Sequence, residues 1–361
     1  MSTASVTTEL PAQHAAPGLL GLAERGWLPD ALLRWGIRRQ CAQRLQDERR
    51  GGIEAESARF QANLRLLRDS PVAVHTDAAN RQHYELPAAF FQHCLGPRLK
   101  YSSGYFPQGH ESLDEGEQQM LALYEQRAQL ADGQAILELG CGWGSLTLWM
   151  AQRYPNAQIT AVSNSHSQRR FILERCAARG LDNVRVLTQD ANQLDLPADS
   201  FDRCISIEMF EHMRNYGPLL ARISRSLRRD GQLFVHIFCH RTVLYPFETD
   251  GEDNWMGRHF FTGGLMPSAD TLAWFQRDLQ LQQRWLLDGR HYARTANLWL
   301  AEQDKHKAAL MPVLQSAYGP AAGLWFQRWR MFWMACAELF GYAGGSEWGV
   351  AHYRFSQREA S

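Results

Sequence analysis

Between Ala135 and Phe238 short apolar runs alternate with amphipathic stretches, the pattern of β-α-β units that build a parallel sheet. It predicts strands over 135–139, 158–162, 184–188, 201–207 and 231–238. Helices over 146–153, 167–179 and 216–227 fill three crossovers. Residues 350–355 alternate as a last strand added to the sheet, and helices are expected over 269–279, 291–315 and 321–340. The fold class this describes is α/β, a Rossmann-like sheet with helices before and after it.

Residues 1–18 mix Ser, Thr, Ala and Pro without periodicity and read as a disordered tail. From Leu28 to Arg50, Leu32, Leu33, Trp35, Ile37 and Leu45 recur among Arg34, Arg38, Arg39 and Arg44 at helical spacing. Such a basic amphipathic helix either packs its apolar stripe on its own protein or lies on a membrane. Arg49-Arg50-Gly51-Gly52 ends it, and a second helix runs over 53–67. The expected division is a tail over 1–18, a helical cap over 19–120, the Rossmann-like core over 121–240, and a lid insertion, C-terminal helices and last strand over 241–361.

Composition narrows the function. Of 361 residues, 38 are Lys or Arg and 38 Asp or Glu, so no basic excess points to a nucleic acid. Seven scattered cysteines with no C-x-x-C pair suggest neither a disulfide framework nor a metal site, and fit a reducing cytoplasm. No run approaches the roughly 18 apolar residues of a membrane span. A homodimer is allowed but not argued by anything in the chain.

Gly140, Gly142 and Gly144 follow an apolar strand and precede a helix. They sit where a ligand meets strand ends and helix amides. The spacing is G-x-G-x-G, and the second strand ends in Ser163-Asn164. A dinucleotide fingerprint asks instead for G-x-G-x-x-G and an acid at that place. Asp190, after the third strand, offers an acceptor to an adenine amino group; its other reading is a capping acid.

The stretch 138–149, with Tyr101-Ser102-Ser103-Gly104-Tyr105-Phe106 and Glu208-Met209-Phe210-Glu211-His212, resembles the cyclopropane-fatty-acid synthase superfamily of S-adenosylmethionine-dependent methyltransferases. His83-Tyr84-Glu85-Leu86-Pro87, residues 260–268 and Phe340-Gly341-Tyr342 look most like its coclaurine N-methyltransferase branch. The resemblance implies that Tyr101 and Ser102 reach the methionine end of S-adenosylmethionine and that Gly140 and Gly142 line it. It places Asn164 and Gln168 at the ribose, Asp190 and Ala191 at the adenine, and a lid of N- and C-terminal helices over the substrate.

Methyl transfer is an in-line displacement, so positioning and water exclusion carry most of the catalysis. An amine acceptor also has to lose a proton before it attacks. Glu208, Glu211 and His212 supply titratable groups directly after a strand and converge if the segment turns helical. Cyclopropane synthases resemble this motif but usually carry a small residue where Glu208 stands, which tilts the reading to a small amine. The runner-up substrate is an unsaturated acyl lipid. Those synthases hold a bicarbonate base with a cysteine backbone, an acid, a histidine and a tyrosine, matched here by Ser103, Glu211, His236 and Tyr292. On the C-terminal helix Trp325, Trp329, Phe332 and Trp333 share a face long enough to line a pocket, with Trp329 and Phe332 as its candidates for substrate contact.

Overall fold

The computed structural model describes residues 14–74, 86–251 and 254–358. His83, Tyr84 and Glu85 of the motif quoted above, and the tail up to residue 13, lie outside the described residues.

The centre is a seven-stranded sheet in the order β3-β2-β1-β4-β5-β9-β8. Its strands are β1 (Ala135–Leu139), β2 (Gln158–Ser163), β3 (Val184–Thr188), β4 (Phe201–Ile207), β5 (Leu227–His240), β8 (Leu279–Leu287) and β9 (Trp348–Gln357). A two-stranded ribbon, β6 (Tyr245–Pro246) with β7 (Leu265–Met266), stands apart. The first five strands of the sheet are parallel; β9 runs antiparallel to both β5 and β8. β1 has β2 on one side and β4 on the other, so the order reverses there, and a cleft opens at the strand carboxyl ends as in other doubly wound sheets. The α/β expectation and the five core strands therefore hold.

Among the described residues seven helices surround the first half: α1 (Gly18–Glu24), α2 (Asp30–Glu48), α3 (Gly52–Asp69), α4 (Ala88–Cys94), α5 (Leu113–Ala128), α6 (Ser145–Arg153) and α7 (His166–Ala178). The second half adds α8 (Tyr216–Ser226), α9 (Trp255–His259), α10 (Gly289–Lys305), α11 (Lys307–Tyr318) and α12 (Ala322–Gly341).

Two expectations fail. Residues 269–279 are not a helix but a short 3₁₀ turn over Thr271–Trp274, followed by β8. The Thr271 hydroxyl takes the Ser268 amide at 2.9 Å, and the Ser268 hydroxyl takes the Asp270 amide at 3.3 Å. Such local side-chain bonds compete with a helical ladder. The helix over 291–315 is two, separated at His306, whose Nδ1 lies 3.0 Å from the carbonyl oxygens of both His93 and Glu302.

The basic helix α2 packs inward. Leu33, Cys41 and Leu45 are buried, Arg34 and Arg38 pair with Glu338 of α12 at 2.8 and 2.6 Å, and Arg49, just beyond its end, pairs with Glu347. α1 is tied to α12 by a fully buried ion pair, Arg328 Nε donating to Glu24 Oε1 at 3.0 Å while the Trp255 indole donates to the same oxygen at 2.8 Å. All seven cysteines are free thiols. Among the described residues no helix is long and apolar enough to cross a membrane.

Candidate active site

Gly140, Gly142 and Gly144 carry the chain from β1 into α6 with φ of +81°, +51° and +82°, a region glycine enters without the Cβ clash that other residues meet. A Cβ on Gly140 would stand 2.9 Å from the Met209 side chain, and one on Gly144 would stand 2.7 Å from Ile172. Gly142 differs: nothing lies within 4 Å of its Cβ direction. The loop is pinned by the Gly140 and Cys141 amides, which donate to the Val162 carbonyl at 2.9 and 3.1 Å.

Two cavities flank this loop and share Gly140, Gly142, Gln168 and Glu208. The larger, about 790 Å³ of space continuous with solvent, adds Ser163, Asn164, Gln189, Ala191, Met209 and His212. The other, about 560 Å³, adds Lys100, Tyr101, Ser102 and Tyr124. Among the described residues no lysine or arginine lines the larger cavity, so none of them offers a cation to a pyrophosphate. What it offers is neutral: Gln168 Nε2 and Gln189 Oε1 are buried without a hydrogen-bond partner, a spare donor and a spare acceptor for a nucleoside. An uncharged sugar and base with a cationic sulfur toward Glu208 fits this lining better than a dinucleotide.

Tyr101, Ser102, Gly140, Gly142, Asn164, Gln168 and Ala191 border the two cavities. The Asp190 carboxylate caps the short turn that follows it, its Oδ1 accepting the Asn192 amide at 2.7 Å. Its neighbour Gln189, which the sequence reading passed over, faces the cavity instead.

Glu208 terminates β4 with φ +47°, a left-handed conformation that costs a non-glycine residue about 1–2 kcal/mol. Its amide is held by the His236 carbonyl at 2.9 Å. The carboxylate gathers three donors from distant segments. Oε1 accepts the Ser103 amide at 3.0 Å and lies 3.0 Å from His236 Nε2, while Oε2 accepts the Tyr292 hydroxyl at 2.7 Å. Burial pushes its pKa up to about 7, with the Lys100 ammonium and the Tyr292 and Ser103 hydrogen bonds opposing the rise.

Glu211 is fully buried and points the other way. Its Oε1 accepts the Phe238 amide at 2.6 Å, its Oε2 has no partner, and burial followed by the charge of Glu208 drives its pKa far above the usual carboxylate range. Both causes favour its neutral form. His212 borders the larger cavity with Glu208 and lies against the Phe261 ring, centroids 4.5 Å apart. Glu208 and His212 therefore share a cavity while Glu211 lies behind them. The turn that arranges this, over Phe210–His212, is 3₁₀ rather than α-helical.

Aromatic rings pack in a layer around Tyr292, the residue that donates to Glu208. Tyr292 stacks on Phe340 at 4.2 Å, Phe260 stacks on Phe332 at 4.4 Å, and Phe238 meets both Phe261 and Phe340. Trp329 and Trp333 are fully buried in the layer behind, Trp329 packed on Phe90 and Phe260. Of the aromatic face read on α12, Phe332 reaches the front layer and the tryptophans form its backing. The sequence reading missed Lys100, Tyr124, Phe261 and His352. Phe261 and Phe340 stand inside motifs quoted for the resemblance, whereas no local pattern marks the others.

The Mycolic acid cyclopropane synthetase family model matches residues 73–344. (S)-coclaurine N-methyltransferase of Thalictrum flavum subsp. glaucum is 38% identical over 345 residues, which is 94% of this chain and 95% of that protein. The cyclopropane-fatty-acyl-phospholipid synthase of Escherichia coli (strain K12) is 29% identical over 76% of this chain and 67% of its own. A crystal structure of coclaurine N-methyltransferase bound to N-methylheliamine and SAH superposes with a TM-score of 0.90 at 38% identity, covering 94% of this chain and 99% of that one. With the family model spanning most of its length, a glycine loop in a doubly wound sheet and a neutral nucleoside cavity, the chain belongs to the mycolic acid cyclopropane synthetase family of S-adenosylmethionine-dependent methyltransferases.

Proposed function

We propose that this enzyme methylates the nitrogen of a small aromatic amine and that Glu208 is the base. The observation that carries this is the convergence of the Ser103 amide, His236 and Tyr292 on the Glu208 carboxylate. Those are three of the four positions matched to the bicarbonate site of the synthases. A carboxylate of the chain itself fills the place where a synthase holds a diffusible anion.

S-adenosylmethionine supplies an electrophilic methyl on a sulfonium. The chain has to present a neutral amine in line with it. An alkylammonium entering beside Glu208 meets a carboxylate with a pKa of about 7, near the working pH, where a general base is most effective. Glu208 takes the ammonium proton; the nitrogen lone pair then forms the new N–C bond as the S–C bond breaks. Tyr292 and His236 hold the carboxylate in place. His212 lies beside the same cavity as a second polar contact for the amine, and Glu211 orders the backbone behind it through the Phe238 amide. The aromatic walls favour a cation before proton loss and exclude water afterwards.

Tyr101, Ser102, Gly140, Gly142, Asn164, Gln168 and Ala191 are the proposed cofactor contacts, with Asp190 shaping the adenine end. The helical segments 19–120 and 241–361 supply the walls and act as the lid over the core at 121–240. Coclaurine N-methyltransferase, with N-methylheliamine in its structure, supports the amine class. The engagement of Arg34 and Arg38 of α2, and of Arg49 at its end, in intramolecular ion pairs favours packing over a lipid surface for that helix. Incubation with labelled cofactor and a panel of phenethylamines, tetrahydroisoquinolines and unsaturated phospholipid vesicles tests the reading. Label is expected in an amine; label in acyl chains alone would overturn it.

A further inference from the structure

We infer that Arg127, near the end of α5, is a positioning residue that fixes the direction of a hydrogen-bond chain Arg127–His352–His236–Glu208. The inference rests on Glu208 being the base. Arg127 Nη1 lies 2.8 Å from His352 Nδ1, His352 Nε2 lies 2.9 Å from His236 Nδ1, and His236 Nε2 lies 3.0 Å from Glu208 Oε1. The register of β5 against β9 pairs His236 with His352 directly, so both rings stand on one face. Both are fully buried.

A guanidinium has donors and no acceptor, so only one ordering of protons satisfies the chain. Arg127 donates to His352 Nδ1, and a neutral His352 then carries its proton on Nε2 and donates to His236 Nδ1. His236 in turn carries its proton on Nε2 and donates to Glu208. The reverse ordering would aim a bare imidazole nitrogen at a carboxylate oxygen and ask Arg127 to accept. Burial holds both imidazoles neutral, their pKa values well below the ordinary histidine range, with Lys100 and Arg127 adding to the effect. The second neighbour of His236 Nδ1 is the Tyr124 hydroxyl at 2.9 Å. It can give or receive a proton, so it opposes neither direction and leaves the decision to Arg127. Among the described residues the other titratable groups facing Glu208 are Lys100, Tyr124, Glu211, Tyr292 and Cys336; Tyr105 and Tyr124 face Arg127.

The chain's functional effect is on the proton affinity of Glu208. A donor aimed at a carboxylate favours its ionised form, and loss of that donor raises the pKa. In Arg127→Met the two imidazoles are free to reverse, Tyr124 receiving from His236, and the acid limb of kcat/KM for a tetrahydroisoquinoline should move up by about one pH unit. Arg127→Lys, still only a donor, should restore it. His352→Phe breaks the same chain with a ring of similar volume and should reproduce the shift if Arg127→Met does not fold.

Nitrogen-15 imidazole spectra of the full chain decide the matter without turnover. His236 and His352 should both be Nε2–H tautomers in the parent and in Arg127→Lys, and His236 should lose that state in Arg127→Met. A parent His236 protonated on Nδ1, or tautomers indifferent to Arg127, would overturn the inference and leave Glu208 as base untouched. Tautomers that follow Arg127 while the acid limb stays fixed would instead remove Glu208 as the group read in the rate, and this inference with it.

Discussion

The Tyr292 hydroxyl donates to Glu208 Oε2 across 2.7 Å, tying the first turn of α10 to the end of β4 through a bond that exists for the charged carboxylate. Burial pushes the Glu208 pKa up to about 7, and this bond is among the contacts that restrain it. In Tyr292→Phe the acid limb of kcat/KM is expected to move upward by about one unit. Near neutral pH the rate should fall about fivefold, and the deficit should shrink above pH 9. A profile that merely scales down at every pH would point to lost packing against Phe340.

Gly142 is the loop position with open space before it. Gly142→Val places a β-branched side chain in that space at φ +51°, so affinity for S-adenosylhomocysteine should drop by more than tenfold, measured by calorimetry. Gly144→Val instead drives into Ile172 and should lower Tm first. Unchanged affinity in Gly142→Val would show that the cofactor does not approach there.

Since the Glu208 carboxylate already accepts from Ser103, His236 and Tyr292, amine methylation should not depend on added bicarbonate. Rates in carbonate-stripped buffer should match those with bicarbonate restored. A large reversible loss would mean that a bound anion serves as the base.

The Glu24–Arg328 pair is buried on both sides. Burial alone would raise the Glu24 pKa, but the hydrogen bonds from Arg328 and Trp255 outweigh it and hold the carboxyl below its ordinary value. A depressed carboxylate contributes stability above its unfolded pKa and loses it as pH falls through its folded one. Arg328→Met should therefore cost about 3–5 kcal/mol at pH 7, with the gap to the parent closing as pH drops below about 4.5. Thermal melts from pH 3.5 to 7.5 measure this, and a gap that does not narrow in acid would argue against the ion pair as its source.

Local pattern carried the parallel half of the fold. β1, β3 and β4 are short segments rich in apolar residues and bounded by turn residues, and their limits follow from that local pattern. β8 escaped because its pairing is with β9, about seventy positions onward, and its exposed glutamines and arginine weaken the apolar signal. Glu208 was legible from its place after a strand. Its donors were not: Ser103, His236 and Tyr292 stand 105, 28 and 84 residues away, and only the fold shows that they meet on one carboxylate. The resemblance named three of those groups but assigned them to a separate anion with Glu211, whereas Glu211 turns to the β5 backbone. Asp190 shows the opposite limit, since its capping reading was as visible in the sequence as its adenine reading.

The claim on which the rest depends is that Glu208 removes the amine proton. Glu208→Gln keeps shape and most hydrogen bonds but no basicity, so S-adenosylhomocysteine affinity should stay within a few-fold of the parent while kcat/KM at pH 7 falls about 10² or more. Measured from pH 6.5 to 9.5, the deficit should be steepest at neutral pH and shrink as more amine arrives already deprotonated. A deficit that is flat across that range, or a normal rate at pH 7, would contradict the account.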